Sequence, residues 1–149
     1  VRDRNMALGL SAALTVQQQS VLDKFWPGLL SVTVKAQPGL TWNLGDDRRL
    51  GKVNLRSPKK KFLQAILEQS GPLATSSAAL AGKSAVVDSN TLEVYENDIG
   101  AIFDESVLQV GPLSTLIEFS ENEITLMREG AISLEDLKAL VPTISAPNL

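Results

Sequence analysis

The chain has 149 residues, 44% of them hydrophobic and 21% charged, and a formal net charge of −3. This composition is typical of a folded globular domain and excludes a polycation, so a nucleic acid would have to bind a local basic patch. Cysteine and histidine are both absent, which excludes disulfides, thiolate nucleophiles and histidine acid–base chemistry. Any catalysis would have to use positioning and electrostatics from arginine, lysine, hydroxyl and backbone groups, or a metal held mainly by substrate phosphates.

The N-terminal residues show neither a long apolar run nor a signal peptide. A membrane-spanning helix needs roughly 20 apolar residues, and no run in the chain approaches that length. We therefore expect a cytoplasmic protein with no membrane partner. The chain begins at Val1 rather than at a methionine, and we expect that it is truncated upstream.

Helical spacing predicts a first helix over Thr15–Phe25, ended by the Pro-Gly pair that follows Trp26. Alternation then predicts a strand over Leu30–Lys35, with Val32 and Val34 on one face and the hydroxyl and lysine side chains on the other. We expect Trp26 to pack the corner between this helix and this strand.

After a loop over residues 36–49, a second strand is predicted over Lys52–Arg56. Ser57 and Pro58 suit the N-cap and first position of a following helix, and Gly71 suits its end. The predicted core face of this helix consists of Phe62 and Ile66, with Leu63 and Leu67 as further candidates.

Shorter elements are predicted in the second half of the chain. Two short strands are expected over Pro72–Ser76 and Ala101–Phe103, and Asp88 or Ser89 is expected to cap a helix over Thr91–Asn97. A hairpin is predicted from Ser114–Phe119 and Glu123–Arg128, and a last helix over Leu134–Leu140 with Ser133 as its cap. Residues 1–142 are expected to form a single domain, and residues 143–149 a frayed tail. The mixture of strands and helices favours an α/β or α+β fold with a mixed sheet.

Arg56 is the first candidate for chemistry, because it ends a strand just before a predicted helix start. Guanidinium donors beside a helix N-terminus favour an anion such as phosphate. The three lysines 59–61 oppose the helix dipole in the first turn, which is also consistent with an anion there. The alternative is an ordinary exposed basic turn.

Two weaker signals lie further along the chain. Thr75-Ser76-Ser77 ends a predicted strand in hydroxyls, where ligands of open sheets often bind, but a plain turn explains it equally well. The hairpin could bring Ser114 and Arg128 together at one sheet edge, although Arg128 and Glu129 could instead form a surface ion pair. The acidic residues show no metal-ligand spacing and no nucleophile–base pair, so no metal site and no catalytic residue is predicted.

Five segments carry a recognisable pattern when they are taken in order: Lys24–Ser31, Val53–Pro58, Gly71–Ala78, Gly111–Glu118 and Leu126–Ile132. They correspond roughly to the patterns FWPGxLT, VxxRxP, SSANxSG, STVVD and LRPGxI. In this order they resemble the YrdC/Sua5 family of threonylcarbamoyl-AMP synthases. Residues Arg2–Leu8 also resemble the end of the family's KxRxxxxPL segment.

The resemblance implies a twisted, open mixed sheet flanked by helices, with a concave positive cavity. Family members join L-threonine, bicarbonate and ATP into threonylcarbamoyl-AMP and release pyrophosphate, with Mg²⁺ carried by the phosphates. The product serves the t6A modification of tRNA together with partner proteins of that pathway, and some members bind tRNA or double-stranded RNA.

Matched by position, the resemblance assigns one group of residues to ATP and another to threonine. The ATP group is Arg2, Arg56, Ser77 and Arg128, and the threonine group is Lys60, Thr75 and Ser114. A site without histidine can still transfer an adenylyl group by neutralising phosphates and aligning the reactants.

The chain also departs from the family pattern. The first strand and the PTDTxYG motif are missing, Met6 and Ala7 replace an Asn and a Pro, Ala79 and Ala81 replace an Asn and a Ser, and RPG has become Arg128-Glu129-Gly130. Two alternatives to an active synthase therefore remain open. One is a non-catalytic module of the same fold that binds nucleotide or structured RNA, and the other is an unrelated α/β domain.

Overall fold

The secondary structure follows the apolar pattern of the sequence, in a computed structural model that describes residues 1–43, 51–77, 88, 91, 99–103 and 111–146. The helices are α1 (Arg4–Leu8), α2 (Val16–Phe25), α3 (Lys61–Ser70) and α4 (Leu134–Leu140). The strands are β1 (Leu30–Lys35), β2 (Lys52–Arg56), β3 (Thr115–Phe119) and β4 (Ile124–Arg128). Both predicted central strands and the predicted hairpin are therefore confirmed.

Contacts divide the chain into two compact units. The first consists of Val1–Leu73 with Pro112–Leu149, and the second of Ala74–Gly111. All the helices and strands named above belong to the first unit. No helix in the described part of the chain is long and apolar enough to cross a membrane.

In the described residues, the first unit is built on a mixed four-stranded sheet with the strand order β2-β1-β3-β4. Strand β1 runs antiparallel to β2 and parallel to β3, and β3 runs antiparallel to β4. The mixed α+β sheet expected from the sequence is thus confirmed, while the concave positive cavity stays a prediction.

One face of this sheet is apolar and carries the core. Side chains alternate between the faces of a strand, and the residues on this face are 0 to 8% exposed. They are Leu30, Val32, Val34, Val53, Leu55, Ile117, Phe119, Ile124 and Leu126. Leu22 of α2 and Leu137 of α4 belong to the same apolar cluster and have no exposed surface. The opposite face carries mostly polar side chains, together with Leu116.

The corner between α2 and β1 has the predicted arrangement. Thr15 and Gln18 form a reciprocal capping box at the start of α2. Trp26 is only 9% exposed, and its Nε1 donates to the carbonyl oxygen of Leu30 over 2.8 Å. Gly28 is required for the close turn here, because a Cβ at that position would lie 2.5 Å from the carbonyl oxygen of Phe25.

The N-cap predicted for α3 is wrong, because this helix begins at Lys61 and has Lys60 as its N-cap without a side-chain cap hydrogen bond. Ser57 is instead fully buried, and its hydroxyl donates to the carbonyl oxygen of Arg2 over 2.5 Å. The side chain of Gln64 folds back and donates to the carbonyl oxygen of Pro58 over 2.6 Å. The serine thus anchors the segment before the helix to the N-terminal residues.

The predicted core face of α3 is also only partly correct. Leu67 is buried and Ile66 is half-buried, but Phe62 and Leu63 are 41% and 39% exposed. The helix therefore rests on its C-terminal half, and its first turn lies at the surface.

Helix α1 was not predicted. It is only five residues long, which gives too little periodicity for a sequence pattern to detect. Its signal is a cap: the Asp3 carboxylate accepts a hydrogen bond from the Met6 N–H over 2.9 Å.

Two short strands predicted in the second half are wrong, since Pro72–Ser76 and Ala101–Phe103 have no strand structure. Of the helix predicted over Thr91–Asn97, only the first residue belongs to the described residues, and its N–H donates to the carbonyl oxygen of Asp88 over 3.0 Å. Of the tail expected to be frayed, residues 143–146 are described: Ile144 is 6% exposed, and Ser145 forms a bridge to Thr125 of β4.

Candidate functional site

A row of side chains crosses the polar face of the sheet. The strand registers pair Ser31 with Arg56, Ser31 with Leu116, and Leu116 with Arg128. Directly paired residues project from the same face of a sheet. The row Arg56, Ser31, Leu116, Arg128 therefore spans all strands of this sheet and carries an arginine on each edge strand. We call it the arginine row.

A β-bulge places Arg128 in this row. The register shifts between Leu116 and Ile117, which pair with Arg128 and Leu126, so Met127 is an extra residue on β4. If Met127 paired with Leu116 in a regular ladder, Arg128 would lie opposite Thr115 and share the apolar face. The bulge reverses the side on which the arginine projects.

Hydroxyl groups connect the centre of the row to Arg128. The hydroxyls of Ser31 and Ser114 are 3.0 Å apart and hydrogen-bonded. Nη2 of Arg128 donates to the carbonyl oxygen of Ser114 over 2.9 Å and lies 3.4 Å from its hydroxyl oxygen. The proximity of Ser114 and Arg128 that the hairpin suggested is confirmed.

Sequence reasoning did not single out Ser31 as a site residue. Its signal was available, because it projects from the polar face of β1 and belongs to the segment that resembles FWPGxLT. Its side chain is largely covered, with 8% of the residue exposed. A buried hydroxyl of this kind is ordered by its partner rather than by solvent.

Arg56 lies at the exposed end of β2, opposite Ser31. Its Nε donates to the carbonyl oxygen of Gly28 over 3.4 Å, and the N–H of Gly28 donates to the carbonyl oxygen of Ser57 over 2.9 Å. The Pro-Gly corner thus holds the end of β2, with the guanidinium at the sheet edge.

Arg2 is held by carboxylates. Its Nε lies 2.9 Å from Oδ2 of Asp3, and its Nη1 lies 3.4 Å from Oε1 of Glu68 on α3. The pKa of Asp3 is lowered from its ordinary value of 3.8, mainly because the Met6 N–H hydrogen-bonds the carboxylate and secondly through Arg2. The Arg2 guanidinium therefore has two anionic partners within the chain.

The arginine row does not include the predicted site residues Lys60, Thr75 and Ser77. Lys60 occupies the exposed N-cap position of α3. Thr75 and Ser77 are exposed and belong to the second unit. The roles assigned to these three residues stay predictions.

The arginine row is suited to an anion. It offers guanidinium donors at both sheet edges and hydroxyl groups between them, and such groups recognise phosphate oxygens through charge-assisted hydrogen bonds. The same donor set is unsuited to a bare cation, which prefers carboxylate and carbonyl oxygens. In the described part of the chain, no cluster of acidic side chains could hold a metal ion.

Comparison with known proteins identifies related sequences. Residues 1–130 match the Sua5–yciO–yrdC family model, which bears the description "Telomere recombination". A Mycobacterium tuberculosis protein, provisionally named threonylcarbamoyl-AMP synthase, is 31% identical over 85% of this chain and 58% of its own length. A Mycobacterium leprae protein with the same provisional name is 29% identical over 93% of this chain and 62% of its own length. The chain thus spans about 60% of the length of these curated relatives.

Solved structures show the same fold. Pyrococcus abyssi Sua5, crystallised in complex with L-threonine, matches with a TM-score of 0.81 at 22% identity, over 98% of this chain and 43% of that chain. A doubly substituted variant of the same protein matches with a TM-score of 0.83. Since the family model covers residues 1–130 and the fold agrees, the chain belongs to the Sua5–yciO–yrdC family.

Proposed function

We propose that this chain is the catalytic part of a threonylcarbamoyl-AMP synthase. It would join L-threonine, bicarbonate and ATP into threonylcarbamoyl-AMP and release pyrophosphate. The observation that carries the proposal is the arginine row, in which Arg56 and Arg128 flank a hydrogen-bonded pair of serines. The names of the bacterial relatives and the threonine bound to the Pyrococcus abyssi protein support the choice of substrates.

The chemistry requires charge stabilisation more than a proton shuttle. Negative charge accumulates on the departing pyrophosphate as the α-phosphate is attacked, and fixed guanidinium donors stabilise that charge. Holding threonine, bicarbonate and ATP in register then makes the attack effectively intramolecular. Both contributions are compatible with a chain that contains no histidine and no cysteine.

The proposed roles follow the family assignment. ATP would contact Arg2, Arg56, Ser77 and Arg128, and threonine would contact Lys60, Thr75 and Ser114. Ser31 adds a hydroxyl to the second group, because it is hydrogen-bonded to Ser114. Mg²⁺ would be held by the triphosphate, since the arginine row supplies donors for anions and no ligands for a cation.

A pyrophosphate-release assay with threonine, bicarbonate, ATP and Mg²⁺ tests this proposal. Arg128→Ala should lower kcat/KM by about 100-fold, the usual loss for one charge-stabilising donor. Lys35→Ala is the matched control, because Lys35 is an exposed cation on the same face of β1, roughly 13 Å along the strand from Ser31. An absence of threonine-dependent pyrophosphate release in the unmodified protein would refute the synthase function.

A second candidate is a domain that binds nucleotide without catalysis. It is favoured by the two carboxylates that hold Arg2 and by Ala79 and Ala81, which stand where the family has an Asn and a Ser. Isothermal titration would then show MgATP binding in protein that releases no pyrophosphate. Binding of tRNA or duplex RNA by the exposed lysines 59–61 is a separate version, and its affinity should fall steeply with salt.

A further inference from the structure

The turn that follows β4 is fixed to the start of β3 by one buried side chain, that of Thr115. Its hydroxyl donates to the carbonyl oxygen of Ile132 over 2.7 Å and accepts from the N–H groups of Gly130 and Ile132 over 3.0 and 2.9 Å. A hydroxyl has one proton and two lone pairs. All of its hydrogen-bonding capacity is therefore spent on this turn, and the residue itself has no exposed surface.

Main-chain contacts also join this turn to the residues just before β3. The N–H of Ala131 donates to the carbonyl oxygen of Leu113 over 2.8 Å. Gly130 lies so close to β3 that a Cβ would be 2.4 Å from that carbonyl oxygen and 2.7 Å from the carbonyl carbon of Ser114. Residues 130–132 are thus held against the segment that carries Ser114.

Arg128 lies just before this turn and contacts the same segment, the one that carries Ser114. It is the last residue of β4, two positions before Gly130, and its guanidinium donates to the carbonyl oxygen of Ser114. Its position in the arginine row depends on the bulge at Met127, and a bulge weakens the strand ladder locally. The ladder alone is therefore a poor support for the end of β4, and the turn beyond it supplies the second anchor.

We propose that Thr115 is a positioning residue, which through the turn at residues 130–132 holds Arg128 against Ser114 and so completes the anion site. Its expected effect on ATP binding rests on the proposed function, whereas its effect on the turn does not. Thr115 itself projects from the apolar face of the sheet, opposite the face of the arginine row, and is fully buried. Its contribution is to fix the main chain that carries the arginine.

The test compares Thr115→Val with Thr115→Ser. Valine keeps the shape but leaves two N–H groups and a carbonyl of the turn without their partner, whereas serine retains the hydroxyl. Thr125→Val is the matched control, because Thr125 lies on the neighbouring strand and its hydroxyl bonds only to Ser145 in the contacts described. Each variant is first shown to be folded by circular dichroism at the temperature of the measurement.

Amide hydrogen exchange is the first readout. In Thr115→Val the amides of Gly130 and Ile132 should exchange at least about tenfold faster, since exchange reports local opening. Thr115→Ser and Thr125→Val should leave those rates unchanged. Unchanged rates in Thr115→Val would overturn the proposal, whatever the protein binds.

MgATP affinity by isothermal titration is the second readout. Thr115→Val should weaken binding about tenfold, a common loss when a charged hydrogen-bonding group is misplaced, and Thr115→Ser should restore it. In an Arg128→Ala background Thr115→Val should have no further effect, because it acts through that arginine. An equal loss in both backgrounds would overturn the link to Arg128. If the unmodified protein binds no MgATP, the proposed function fails, and exchange alone decides the role of Thr115.

Discussion

Individual polar side chains join segments of the chain that are remote in sequence. Ser57 and Thr115 are both fully buried, and the hydroxyl of each is hydrogen-bonded to a segment remote in the sequence. Leaving such partners unsatisfied costs about 1–3 kcal/mol. Neither role is visible from local sequence, because Ser57 before Pro58 reads as a helix cap and Thr115 reads as an ordinary strand residue.

Gly130 packs closely against the neighbouring main chain because it has no side chain. Gly130→Ala would force a Cβ to within 2.4 Å of the Leu113 carbonyl oxygen, so we expect it to lower the free energy of unfolding by about 1–3 kcal/mol. Urea denaturation measures the loss. Gly39→Ala serves as the control, because a Cβ there meets nothing within 4 Å, and equal effects at both positions would contradict the close approach.

Asp3 gives the first turn of the chain a pH dependence. Its pKa is lowered from 3.8 in the folded protein, so its charge contributes stability that is present above that value and is lost as the pH falls through the folded pKa. Asp3→Asn keeps the capping acceptor and removes the charge. The variant should unfold at lower urea than the unmodified protein at pH 7, and the difference should shrink below about pH 4. A difference that stays constant with pH would refute this role.

Among the elements, the strands agreed with the sequence more closely than helix α3 did. Strands β1 and β2 and the hairpin alternate in a way that only a half-buried sheet explains, so their pattern was sufficient. Helix α3 begins later than expected, because Ser57 bonds to Arg2 and not to the helix. The polar partners of such a serine are remote in sequence, and no local pattern contains them.

The arginine row shows the same limit for the candidate site. Arg56 and Ser31 could be placed on one face from alternation alone. Strict alternation along β4 would place Arg128 with Ile124 and Leu126 on the apolar face, and only the bulge at Met127 corrects it. A bulge depends on the pairing between two strands, so a single strand's sequence does not predict it.

At the scale of the whole molecule, the local charge of the arginine row is opposite in sign to the net charge of the chain. The chain carries a formal charge of −3, yet the arginine row has cations at both edges of the sheet, and acidic partners hold Arg2 instead. The strand registers of the first unit separate an apolar face that carries the core from a face that carries the arginine row.

The width of that face predicts how its two arginines act. Arg56 and Arg128 lie three strand spacings apart, or about 14 Å between their backbones, and groups that far apart without shared partners contribute to binding additively within about 0.5 kcal/mol. Isothermal titration of MgATP into Arg56→Ala, Arg128→Ala and the double variant measures this. We expect the two losses of binding free energy to sum, because each guanidinium then meets a different part of the nucleotide. If the double variant binds MgATP no more weakly than either single variant, both arginines contact the same group of the nucleotide. The ligand would then bring the two edges of the sheet closer together.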